Sequence, residues 1–228
     1  MKITPIANLH GLLPEDYELP TSDVLAIAGG LLPYNRDDSM LDNLIYQSIF
    51  MQSSLYPWIT HQADRFGMII MTWGYTDILP YLDCLKTTPK FLNINQDELP
   101  HNVAISIDST VTYKGKNFFA IPWNNETQHY AFSMNNIDEE YVWNNIPSDT
   151  DVLISHESPM GVFSKVLGSN ALHSRVVGHS RIRSHIFGHL HSPGKMTTDK
   201  TYVNASYTYI DKNGTFKKDP YSVNIIEI

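Results

Sequence analysis

Four short apolar runs, each cut off by glycine or a polar turn, restrict this chain to a narrow set of folds. Val24–Ala28 reads VLAIA, Met68–Thr72 reads MIIMT, residues 151–155 read DVLIS, and Ile186-Phe187 ends the fourth. A run without polar alternation is a strand covered on both faces, the habit of a mainly parallel sheet with helices outside it. The turns after the runs are also alike. Gly29-Gly30, Trp73-Gly74-Tyr75-Thr76-Asp77, His156-Glu157-Ser158-Pro159 and Gly188-His189-Leu190-His191 come directly after them. Asn8-Leu9-His10-Gly11 comes after a shorter strand candidate over residues 2–7. Parallel strands end on a common edge, so these five turns are expected together, where ligands bind in open α/β sheets.

The rest of the chain supplies helices and further strands. Met40, Leu44, Ile45, Ile49, Leu55 and Ile59 recur at helical spacing, with Asp37, Asp38 or Ser39 as the cap. Short helices are expected over residues 78–85 and 138–145, the second ended before Pro147. Residues 103–107, 109–113 and 118–121, with turns at Asp108 and Lys114-Gly115-Lys116, predict antiparallel hairpins. Residues 162–179 read as loop and weak helix, and 201–204, 205–210 and 222–228 as closing strands. The pattern predicts an α/β protein of two packed mixed sheets with helices outside.

Composition narrows the class. The 228 residues are 42% hydrophobic, enough for one large core, and no Pro/Gly/Ser linker or charge block divides them, so one domain over 1–228 is expected. The net charge of −8, with scattered Lys and Arg, argues against a nucleic-acid surface. Cys84 is the only cysteine, which excludes an internal disulfide and suits a reducing compartment. The first twenty residues carry one basic side chain and are broken by Pro5, Asn8 and His10, unlike a secretory signal. No apolar run nears the ~20 residues of a membrane span. The expectation is a cytoplasmic protein with neither nucleic-acid nor membrane partners.

The turns carry four histidines, His10, His156, His189 and His191. Past a strand end, His189 and His191 can point the same way, and converging imidazoles suit a metal ion or an anion. Asn8, at the same edge, reads locally as a turn residue. A lone HxH is as readily a turn bonded to backbone; the order and spacing of all five turns is far more specific.

In that order the turns resemble the motifs of the calcineurin-like metallophosphoesterase family: DxH, GD, GNH[DE], a lone His after a strand, and GHxH. Here those places read Asn8-Leu9-His10, Gly29-Gly30, Gly74-Tyr75-Thr76-Asp77, His156 and Gly188-His189-Leu190-His191. The likeness covers nearly the whole chain. It is closest to the metallophosphoesterase-domain-containing phosphodiesterase branch, through Ile121-Pro122-Trp123, the stretch from Trp143 to Pro159, FGHLHSPG and YVNAS. The resemblance implies one calcineurin-like phosphoesterase domain, a four-layer α/β/β/α sandwich of two mixed sheets with a two-metal site at the strand ends. The implied first metal position takes Asn8, His10, Gly30 and His191; the second takes Gly30, Tyr75, His156 and His189. The four histidines survive. The family's two aspartates and its asparagine do not, and Thr76 stands where the family has the histidine that assists the leaving group.

Electrostatics gives that loss a meaning. Two dications ~3.5–4 Å apart repel by roughly 17–19 kcal/mol at an effective dielectric near 20. Carboxylates normally offset this, and the implied direct ligand set here has none. Four neutral imidazoles suit one Zn²⁺ or similar ion rather than two hard cations. Asp77 and Glu157 are the nearest carboxylates by sequence and the candidates for replacement ligands. Tyr75 is read as filling the emptied pocket, and Trp73, Trp123 and Trp143 as core. His61, His101, His129, His173, His179 and His185 match no ligand position and are read as surface or packing residues.

These residues admit three functional readings. The favoured one is a pseudoenzyme on a hydrolase fold, weak or inactive, with no catalytic residue assigned and no cofactor. Its four-histidine cleft, a metal-binding remnant, would take a phosphorylated small molecule, a nucleotide or a protein partner. The second is a metal-dependent phosphodiesterase using a single Zn or Mn ion. The third is a structural or assembly protein reusing the fold.

Overall fold

The computed structural model describes residues 1–89, 92, 99–125, 131–134, 138–219 and 223–228. The chain is a mixed α/β protein. One sheet is built from β1 (Lys2–Ile6), β2 (Val24–Ala28), β3 (Met68–Thr72), β4 (Val103–Ile105) and, from the chain's end, β13 (Ile226–Glu227). Its order is β13-β1-β2-β3-β4, parallel throughout except at β13. The second is built from β5 (Ser109–Tyr113), β6 (Lys116–Ile121), β7 (Val152–Ser155), β8 (Ser184–Phe187), β9 (Gly194–Thr197) and β10 (Thr201–Asn204). Its order is β5-β6-β7-β8-β10-β9, with β5 and β9 antiparallel to their neighbours. A separate hairpin joins β11 (Thr208–Ile210) to β12 (Phe216–Lys218).

The continuous apolar runs explain themselves in the packing. In β2, Val24, Ala26 and Ala28 join a cluster shared with Phe118, Ala120, Val152, Ile154, Ile186 and Val203 of the other sheet. The alternate residues Leu25 and Ile27 join a different cluster with Leu44, Met51, Leu55 and Ile59. A strand that buries both faces cannot carry polar residues on either. Each fully buried Leu or Ile contributes roughly 1.5–3 kcal/mol. The second sheet repeats the arrangement, with Phe119, Ile121 and Leu153 turned toward Val142, Trp143, Leu172 and Val176.

Those last four belong to α4 (Glu139–Asn144) and α5 (Asn170–Gly178), while the first sheet is backed by α1 (Met40–Phe50), α2 (Tyr56–Ala63) and α3 (Ile78–Cys84). Ser39 caps α1, its hydroxyl accepting the Asp42 N–H at 3.1 Å. The expected helix from there is interrupted by a wide π turn over Met51–Leu55. Pro57, in the first turn of α2, has no N–H to give and its ring crowds the preceding turn. Asp138 caps α4, at the start of the expected helix.

Several expectations need correcting. β4 does not belong to the hairpin block; it pairs in parallel with β3, and of those three strands only β5 and β6 form a hairpin. Asp108, at φ +49°, turns the chain from one sheet to the other. Residues 170–178 form a capped helix rather than weak structure, because Ser169 accepts the Leu172 N–H. The strand over Thr201–Asn204 is as expected, the two after it are shorter than expected, and β9 and β12 were unforeseen. Ser222 and His129 lie outside the described residues. Among the described residues, no helix is long and apolar enough to cross a membrane.

Candidate functional site

The five turns meet at one place, between the two sheets. The first backbone links come from parallel strand ends: Asn8 N donates to Gly29 O at 2.8 Å and His10 N to Gly30 O at 2.9 Å. His156 Nδ1 donates to the Ala28 carbonyl at 3.0 Å, tying the second sheet to the first. Asn8 completes the join. Its Oδ1 accepts the His189 N–H at 3.1 Å, and its Nδ2 donates to Ser206 Oγ at 3.1 Å.

The four histidines are brought together as two pairs. His10 and His191 have ring centroids 5.1 Å apart, and His156 and His189 are 5.6 Å apart. Tyr75 stands among them, with its ring 6.3 Å from His10, 5.4 Å from His156 and 5.3 Å from His189. Phe216 of the β11–β12 hairpin stacks flat on His10, with centroids 3.9 Å apart and planes at 13°. Sequence reasoning missed Phe216 entirely. The local signal was the Asn213-Gly214 pair, a hairpin turn dipeptide between two short β-prone stretches.

Burial sets the protonation of these groups. His10 is pushed well below the usual histidine range by burial and then by the imidazoles around it. Burial, followed by His189, takes His156 down to about 3. His191 falls to about 4, chiefly by burial, against an opposing interaction with the Thr208 backbone. All three are therefore neutral at pH 7. Among the described residues, neither ring nitrogen of His10 nor the Nε2 of His156, all buried, has a hydrogen-bond partner. Asn8, His10 and His189 hold left-handed backbone conformations, at φ of +54°, +46° and +62°. Asn tolerates this region; for the two histidines it costs roughly 1–2 kcal/mol each, strain of the kind that gathers at functional sites.

Asp77 and Glu157 are accounted for elsewhere. Asp77 is buried and accepts four backbone N–H groups: Gly30 at 3.0 Å, Leu31 at 3.0 Å, Leu32 at 2.8 Å and Gly74 at 2.7 Å. Burial pushes its carboxyl up to about 7 against those four bonds. Protonation would displace a donor, so the geometry holds the ionised form. Glu157 accepts Asn125 N at 2.7 Å and Ser158 N at 2.9 Å. Asp77 is fully taken up by four backbone donors, and Glu157 gives one oxygen to Asn125 N and the other to Ser158 N.

The metal positions implied by the resemblance do not fit these residues. Gly30, where a bridging carboxylate would stand, has no side chain; its N–H is taken by Asp77 and its carbonyl by His10 N. A Cβ on Gly30 would lie 3.1 Å from both Asn8 Cα and Asn8 Oδ1. Asn8 Oδ1 already serves His189 N, and Tyr75 adds an aromatic ring. Gly74 is required for the close approach of this turn to His156, whose ring a Cβ there would meet at 2.5 Å. Among the described residues, no three His, Cys, Asp or Glu side chains are grouped to hold one ion.

Beside the histidines lies a cleft of about 510 Å³, between the Tyr34–Asp37 loop, the Tyr75-Thr76 turn and the β11–β12 hairpin. Tyr34, Tyr75 and Phe216 give it aromatic walls, and Arg36 and Asp37 put one charge of each sign at the rim. Of the remaining residues, Trp73 and Trp143 are core, and Trp123 is half-buried with its Nε1 donating to Asp108 at 2.7 Å. His185 and His179 are buried packing residues, and His61 is an exposed partner of Asp16.

No protein-family model matches the sequence, and no curated protein matches it. Nineteen chains of solved structure do match. One of them, a crystal structure, aligns over 96% of this chain and 98% of its own, with a TM-score of 0.59 and 13% identity. At that identity the likeness shows the fold alone: this chain shares a mixed α/β architecture with that structure from end to end.

Proposed function

We propose that the chain is a non-catalytic relative of the calcineurin-like metallophosphoesterases, folded as their four-layer α/β/β/α sandwich. Its cleft receives a small phosphorylated ligand. Three core clusters, one between the sheets and one on the outer face of each, support the architecture. One observation carries the functional reading. The Tyr75 ring stands against three of the four imidazoles, those of His10, His156 and His189, and the bridging position is a glycine whose N–H belongs to Asp77. Without a bridging carboxylate two close dications repel too strongly to share the site. The aromatic walls of the neighbouring cleft suit a ligand with an apolar body, and Arg36, beside Asp37 at the rim, supplies a cation for its anionic group.

The unpartnered nitrogens of His10 and His156 favour a second reading, a phosphodiesterase with one Zn or Mn ion. It requires Tyr75 to leave its place, since among the described residues no three ligands are grouped as they stand. The test is hydrolysis of bis-p-nitrophenyl phosphate with Mn²⁺ or Zn²⁺ supplied. The first reading expects a rate at background. Turnover near ~1 s⁻¹, inside the ordinary enzyme range, would overturn it.

A further inference from the structure

Helix α1 is built inside out. Its buried face carries Asn43, Gln47 and Ser48 beside Leu44. Asn43 and Gln47 are satisfied: Gln47 Nε2 donates to Thr76 O at 2.7 Å, its Oε1 accepts Leu79 N at 3.0 Å, and Asn43 bonds the Asn35 backbone in both directions. The solvent face carries Leu41, Ile45, Tyr46 and Ile49, which are 50%, 39%, 62% and 59% exposed, and Met40 is exposed at its start. An ordinary surface helix has the reverse pattern. The only charge between Met40 and Phe50 is Asp42, and its carboxylate already accepts the Ser39 hydroxyl at the cap.

We propose that this face is a homodimer interface, in which α1 packs across a two-fold axis on α1 of a second copy. Three observations favour a second copy as occupant. Leu41, Ile45 and Ile49 follow one another at four-residue spacing and form a single ridge. Such a ridge packs into the groove beside its own copy at a crossing near −50°, and a two-fold contact requires this self-complementarity. The apolar area offered is on the order of 500 Å², taking about half of each large side chain as exposed. That equals the roughly 65% apolar share of a standard ~800 Å² homodimer half. The face also lacks the Lys and Arg that would draw it to an anionic membrane, on a chain of net charge −8. Tyr46 lines a smaller cleft of about 340 Å³ with His10, Pro33 and Tyr34. The interface therefore adjoins the candidate site.

Sedimentation equilibrium on the full chain, from about 1 to about 200 µM, tests this. A reversible dimer is expected. It should tighten between about 0.15 M and about 1 M salt, because screening relieves repulsion between two negatively charged copies. The double variant Ile45→Glu/Ile49→Glu should dissociate at least about 100-fold more readily, since it places unpaired carboxylates at the contact. Its circular dichroism should stay unchanged, because both side chains face solvent in the single copy, and its melting temperature should lose the dependence on protein concentration that a dimer confers. Ile45→Cys in a Cys84→Ser background should cross-link to itself under mild oxidation. A wild-type chain that is monomeric at about 200 µM, or a dimer that persists in the double glutamate variant, would overturn the proposal. So would a monomer that floats with anionic phospholipid vesicles.

Discussion

Replacing Gly30 with alanine should destabilise the chain by about 2–3 kcal/mol, and the figure rests on two costs and one gain. Gly30 holds φ +70°. A residue with a Cβ costs roughly 1–2 kcal/mol in that region. The new Cβ would lie 3.1 Å from Asn8 Cα and 3.1 Å from Asn8 Oδ1. Asn8 cannot retreat without loosening its bonds to Gly29 O, His189 N and Ser206 Oγ. Overpacking of this kind costs roughly 1–3 kcal/mol. Alanine restricts the unfolded chain and returns about 0.4–1 kcal/mol. Urea unfolding followed by circular dichroism would measure the net. Gly30→Asp should be at least as costly, since its carboxylate enters a closed cleft. A Gly30→Ala variant within about 0.5 kcal/mol of wild type would break this chain of inference. The turn would then be pliable enough to accept a bridging carboxylate, and the site would not have been rebuilt around glycine.

Two further outcomes concern buried polar groups. Asp77→Asn should cost about 2–4 kcal/mol in urea unfolding, because the amide replaces one carboxylate oxygen with an NH2 group and leaves two backbone N–H groups, those of Gly30 and Gly74, facing a donor; a loss under ~0.5 kcal/mol would contradict the four-bond account. His185 is buried in β8 with its Nε2 2.7 Å from Ser155 Oγ, and burial takes its pKa down to about 3. A lowered folded pKa contributes stability that is complete above the unfolded value near 6.5 and is lost as pH falls toward 3. His185→Leu should therefore flatten the stability–pH slope between about pH 4 and 6 by one proton, or about 1.4 kcal/mol per pH unit. An unchanged slope would show that His185 titrates normally.

Much of the fold was legible because burial on both faces leaves an unmistakable pattern. VLAIA, MIIMT and DVLIS had to be central strands, and their shared endings had to meet. The convergence of Asn8, Gly30, Tyr75, His156, His189 and His191 was predicted from those endings alone, and the contacts agree. The roles inside the site were less legible. Asn8 read equally well as ligand or turn residue, and only the geometry shows it bonding both sheets. Asp77 read as a spare carboxylate, whereas its four donors come from two turns more than 40 residues apart in sequence. Phe216 was invisible because its partner His10 lies some 200 residues away, and three-residue strands carry little periodicity. The position of β4 was missed for a related reason: Val103–Ile105 is too short for its pattern to tell a parallel neighbour from a hairpin.

If this cleft has exchanged its metal positions for a glycine turn and two aromatic rings, the protein should not retain a divalent ion. Metal stoichiometry reads this without recourse to activity. Protein purified without an affinity tag is incubated with Zn²⁺ or Mn²⁺, desalted and analysed by mass spectrometry. Far less than one ion per chain is expected for either metal. A stoichiometric ion retained by the wild type and lost in His10→Ala and His191→Ala would contradict the exchange.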